Sequence, residues 1–142
     1  IEDYLEQGEY YALYSFLEAH YIDYSAEAYA EYNPLIRAVT QYAFFYNDVM
    51  RVVYPYSEES LKSYPGRIED DLAAFYKLYD EEYYHNIFDN PKHKEDILKI
   101  EEQMKAMLVA YCGLTMEEAE DIKNMSEAER MSLLEERLLH EK

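Results

Sequence analysis

A chain of 142 residues, 49% of them apolar, has the size of one domain and can bury a core without disulfides. Its 31 acidic residues against 13 basic ones give a formal charge of -18. That charge disfavours nucleic-acid phosphate and anionic membrane surfaces as direct partners and leaves a basic protein or a cation.

Residues 1–142 are therefore expected to form a single domain. No apolar run approaches the ~18 residues of a membrane span, and no signal-peptide pattern opens the chain. It opens on Ile1, and its first residues already read as the closing turns of a helix, which predicts a piece of a longer polypeptide. Only three glycines and four prolines occur, they fall at helix boundaries, and nothing alternates with a strand period. The predicted fold is all-α, an antiparallel helical bundle with an N-terminal hairpin, three main helices and two short C-terminal helices.

In chain order, residues 2–7 and 9–20 form the hairpin, turning at Gly8, with Tyr10, Leu13, Phe16 and Leu17 on one side of the second helix. Ser25 opens a short helix that runs to Tyr32. Asn33 and Pro34 cap and begin a helix over 34–53, because proline's missing donor is harmless in a first turn. Leu35, Val39, Tyr42, Tyr46, Val49 and Val53 step by four and three along it, and Ile36, Ala43 and Met50 widen the seam, which marks the central helix.

Pro55 ends that helix, and one helical turn is expected within 58–63 before Pro65 and Gly66. The second main helix covers 67–85, with Ile68, Leu72, Phe75, Tyr79 and Tyr83 inside and Asp70, Asp71, Asp80 and Glu81 outside. A short loop over 86–90 leads to the third, over 91–111, carrying Ile97, Ile100, Met104, Met107 and Tyr111 inward. Gly113 closes it in a left-handed cap. Thr115 with Glu118 and Ser126 with Glu129 are capping boxes that start helices over 116–124 and 127–140. Met131, Leu134 and Leu138 dock the last one, with Glu135, Glu136 and Arg137 outside.

Candidate sites are few. Glu82 and His85 have the Glu-x-x-His spacing of bundle metal centres, but such centres need a second pair, and no other histidine has a glutamate three residues before it. A solvated helix end is the plainer reading, and no cofactor is expected. Cys112, the single cysteine, stands among Met107, Leu108 and Tyr111 and reads as a buried, inert thiol. Neighbouring carboxylates such as Asp70 with Asp71 or Glu101 with Glu102 read as solvated faces. No phosphate loop or nucleophile elbow is present.

The uneven charge is more informative. Residues 1–32 hold eight acidic residues, eight tyrosines and no lysine or arginine. This predicts an acidic, aromatic contact surface for a basic protein partner, with Tyr4, Glu9, Tyr10, Tyr24, Glu27, Tyr29 and Glu31 as its residues. The competing reading is a solvated face whose tyrosines pack inward, since Tyr10, Tyr14 and Tyr21 keep near-helical spacing.

The run Leu5-Glu6-Gln7-Gly8-Glu9-Tyr10 followed by Phe16, Leu17 and Ala19 resembles the turn between the helices of a tetratricopeptide repeat, over half a repeat. With Gly8-Glu9-Tyr10 and Leu114-Thr115-Met116-Glu117-Glu118-Ala119, the chain also resembles the tyrosine-rich, acidic helical domains that follow a membrane anchor in uncharacterised bacterial proteins, some with a zinc ribbon at the other end. That second resemblance implies an extracytoplasmic domain, tethered upstream, with no enzyme activity. The expected function is a non-enzymatic protein-binding or spacer domain. The alternatives are a metal-dependent bundle enzyme using Glu82 and His85, and an acidic nucleic-acid mimic that inhibits a DNA-binding protein.

Overall fold

The computed structural model describes residues 2–19, 33–79 and 91–140, and among these every regular element is helical. The expected short helix up to Tyr32, the end of the second main helix and the loop over 86–90 lie outside the described residues. Helices α1 (Glu2–Gln7) and α2 (Tyr10–Ala19) form the predicted hairpin. Gly8 makes the turn at φ 69°, a left-handed conformation that a side chain resists. The Gly8 N–H donates to the Leu5 carbonyl at 3.2 Å and the Glu9 N–H to Tyr4 at 3.0 Å, closing the end of α1.

Helix α3 (Asn33–Val53) is central and packs on α5 (Tyr64–Tyr76), α6 (Pro91–Tyr111) and α2. Leu35, Ile36, Ala38, Val39, Tyr42, Ala43, Phe45, Val49 and Val52 are all buried, so the apolar stripe is broader than the expected seam. Val52 takes the inner position expected of Val53, which is only half-buried. The short α4 (Glu58–Leu61) starts on Ser57, whose hydroxyl accepts the Ser60 N–H at 3.0 Å while the Ser60 hydroxyl accepts the Ser57 N–H at 3.2 Å.

Helix α5 begins three residues earlier than expected. Tyr64 opens it and Pro65 sits in its first turn, where a residue without an N–H costs nothing, so this proline starts a helix and does not stop one. Ile68, Leu72 and Phe75 are buried as expected, and the helix tightens to a 3₁₀ turn over Lys77–Tyr79. Asp71, expected outside, is 9% exposed. Along α6, Ile97, Ile100, Met104 and Met107 face inward, whereas Tyr111 is 48% exposed and belongs to the surface.

Gly113 ends α6 at φ 76°, and the Leu114 N–H reaches the Leu108 carbonyl at 3.3 Å. Both predicted capping boxes form, Thr115 with Glu118 and Ser126 with Glu129. They open α7 (Met116–Asp121), extended by a 3₁₀ turn over Ile122–Asn124, and α8 (Glu127–Glu135), which ends in a π turn over Glu136–His140. Helix α8 docks on α5 through buried Leu134 and Leu138, and α7 docks on α6 through Ala119 and Ile122. Arg137, expected outside, is half-buried.

Candidate functional site

The described part of the acidic first third, residues 2–19, divides into a buried and a displayed part. Tyr10, expected at a partner surface, is 1% exposed; with Leu13 and Leu17 it forms the inner stripe of α2, and its ring meets Tyr42 edge-on at 5.9 Å. It offers nothing to a partner on the outer face of α2. Tyr11 and Tyr14, a turn apart on the α3 side, are half-buried. Tyr11 lies 4.7 Å from the Tyr46 ring and donates its hydroxyl to Asn47 Oδ1 at 3.0 Å. Tyr14 meets Phe44, itself 43% exposed, edge-on at 6.1 Å.

On the other flank of α2, Tyr4 and Phe16 pair at 5.6 Å and are both half-buried. Between the two aromatic flanks the outer face of α2 is low and anionic: Ala12, Ser15, Glu18 and Ala19 are exposed, with exposed Glu9 at its start. Of the expected contact residues, the structure thus places Tyr4 at the edge of this face and Glu9 on it. Tyr24, Glu27, Tyr29 and Glu31 lie outside the described residues, as do Glu82 and His85. Among the described residues no three metal-ligating side chains converge. Cys112 is buried, 1% exposed.

Several charges are interior, among them Asp71 and Glu101, both expected on solvated faces. Glu69, 2% exposed, accepts Arg130 Nε at 2.6 Å, while Arg130 Nη1 donates to the Met125 carbonyl at 2.6 Å, which clamps the start of α8 onto α5. Glu101, 3% exposed, accepts the Tyr79 hydroxyl at 2.8 Å and is also hydrogen-bonded by Tyr76. Burial, then the Glu101 charge, holds both phenols well above their usual range. Glu101 Oε2 makes no hydrogen bond among the described residues but stands 3.7 Å from Lys105 Nζ, within ion-pair reach.

Between α3 and α5, Asp71 is pushed up to about 9 by burial, then by its hydrogen bond to Asp48 and the charges of Asp48 and Asp70, against the opposing pull of Arg67. Asp71 is therefore a neutral acid at pH 7 that donates to Asp48. None of Glu69, Asp71 and Glu101 lines the three cavities described here. Their arrangement joins helices. Glu118, lining an acidic hollow on α7, is held below the usual carboxylate range by the Thr115 N–H and by Arg137, which grips it at 2.7 and 2.8 Å.

Sequence reasoning missed a second aromatic display. Tyr54 and Tyr56 are 71% and 73% exposed, and the Arg51 guanidinium lies 4.1 Å from the centre of the Tyr56 ring. They flank Pro55 at the mouth of a groove of about 700 Å³ that also takes in Leu61, Leu138 and Leu139. The signal was present in Tyr54-Pro55-Tyr56, where the proline ends α3 and frees both rings from a helical face. A third cavity, of about 490 Å³, lies between the α1–α2 turn and α6.

Comparison of the chain with protein-family models, with characterised proteins and with solved structures finds no match to any of them.

Proposed function

We propose that the domain is a non-enzymatic protein-binding module that receives a basic segment of a partner on the outer face of α2. The carrying observation is the half-open ring pair of Tyr14 and Phe44 on the α2–α3 flank, together with exposed Glu9 and Glu18 on α2 and its approach, where residues 1–32 contain no lysine or arginine. Aromatic rings supply contact area with few rotamers to fix, and a guanidinium or ammonium gains from a ring face and from a carboxylate together. The charge of one sign also raises the rate of encounter with a basic chain.

The test is titration of a fluorescent peptide rich in arginine and lysine. Saturable binding should weaken as salt rises and should be lost in Tyr14→Ser and Phe44→Ser, with the melting midpoint little changed. Binding that ignores both substitutions, or no binding at low salt, overturns the reading.

A further inference from the structure

We propose that the cleft between the α1–α2 turn and α6 is a binding site for a primary alkylammonium ion, the charged end of a small aliphatic amine. At about 490 Å³ it falls within the ~300–1,000 Å³ of small-ligand clefts. Its apolar lining comes from Leu5, the Tyr10 ring and Leu98, which is 41% exposed, and these suit a short hydrocarbon stem. The turn is latched as one wall: Gln103 Nε2 donates to the Gly8 carbonyl at 3.2 Å, and a Cβ on Gly8 would meet that nitrogen at 3.3 Å.

The Tyr10 hydroxyl is buried and has no hydrogen-bond partner among the described residues, an arrangement rare in folded proteins and one that a ligand group would relieve. Two features select a cationic donor. Carboxylates outnumber the ammonium on the rim, Glu6, Glu95 and Glu102 against Lys99, with Glu95 on Lys99 at 3.1 Å and Glu102 on Lys105 at 3.4 Å. The phenol is pushed up to about 12, first by burial and then by the Asp96 charge, with smaller contributions from Tyr42 and Glu95, so at neutral pH it stays protonated in a negative field. An N⁺–H donor can bond the phenol oxygen and is favoured by those carboxylates. A neutral alcohol gains only the hydrogen bond, and a carboxylate is repelled.

The test follows backbone amide shifts while n-pentylamine, 1-pentanol or pentanoate is added at neutral pH and low salt. The amine should shift residues 5–10 and 95–103 saturably, at least about tenfold tighter than the alcohol, with no effect from pentanoate. Tyr10→Phe removes only the unpartnered hydroxyl, so it should keep or raise the melting midpoint while weakening the amine several-fold. Leu98→Lys, at an exposed position, should abolish binding by placing a competing ammonium at the mouth. Equal binding of alcohol and amine, shifts spread without saturation over the acidic surface, or unchanged amine affinity in Tyr10→Phe would each overturn the proposal.

Discussion

Helices α2 and α8 both dock on the three-helix centre, but they are held by different forces. Between α2 and α3 the contact is aromatic: Tyr10 on Tyr42, Tyr11 on Tyr46 and Tyr14 on Phe44, with a polar link from Tyr11 to Asn47. Helix α8 adds to its leucines two arginine clamps, Arg130 on Glu69 of α5 and Arg137 on Glu118 of α7. The difference follows from where the basic residues lie. None occurs in the first 32 positions, whereas Glu69, Glu101 and Glu118 meet Arg130, Lys105 and Arg137. Three acids are thus held inward by basic partners, while Glu9 and Glu18 at the N-terminal end are displayed.

The largest effect that would break this comparison is at Arg130. Arg130→Ala leaves Glu69 buried without a counter-charge and should cost about 3–5 kcal/mol in urea unfolding, because an unpaired interior charge keeps its full desolvation penalty. Replacing both partners together, Glu69→Leu with Arg130→Met, should recover most of that loss. If the single variant loses under about 1 kcal/mol, the clamp does not hold α8 and the contrast with α2 fails.

Next comes Asp71, whose effect has the opposite sign. Its folded pKa lies above the unfolded one, so between about 4 and about 9 the folded chain holds a proton that the unfolded chain lacks. Stability from this group is complete at the acid end of that window and falls as pH rises through it. Asp71→Asn keeps a donor to Asp48 without a proton to lose, and should raise stability by roughly 1–3 kcal/mol at the alkaline end and by little near pH 4. Unfolding midpoints of both proteins across pH check this, and parallel curves would remove Asp71 as their cause.

These charges mark the boundary of what could be read from sequence. Apolar spacing located α3 and the inner positions of α6, and side-chain chemistry located both C-terminal capping boxes, because each signal is confined to a few consecutive residues. Ion pairs across the fold carry no such local mark: Arg130 is 61 residues from Glu69. Part of the pattern was nonetheless legible. Tyr64, Ile68, Asp71, Phe75 and Leu78 step by four and three, as do Ile97, Glu101, Met104 and Leu108, so Asp71 and Glu101 stand within the seams. Reading every acid as outward hid them. Pro65 was misread for a related reason, since proline both ends and opens helices, and Ser63 makes no side-chain cap that would mark the start.

Capping should produce a smaller loss. Ser126→Ala removes the acceptor for the Glu129 N–H, 3.2 Å away, and should cost about 1 kcal/mol in thermal or urea unfolding. Gly8→Ala, forced to positive φ, should cost about 1–2 kcal/mol and sharpens the comparison by loosening α1 from α2 without touching a charge. An unchanged melting midpoint in either variant would show that the helix end concerned frays in the native protein.

The smallest expected effect bears most directly on the displayed end. Phe44 is 43% exposed and its packing is shared with Tyr14, so Phe44→Ser should lower stability by at most about 1 kcal/mol, the worth of a lost ring pair with little burial. Phe45, the next residue, is fully buried, and Phe45→Ala should cost about 3–5 kcal/mol. Measuring the two neighbours under the same conditions separates a ring needed by the core from a ring held at the surface. If Phe44→Ser costs as much as Phe45→Ala, the outer aromatics are structural, and the acidic end displays carboxylates without a contact surface between them.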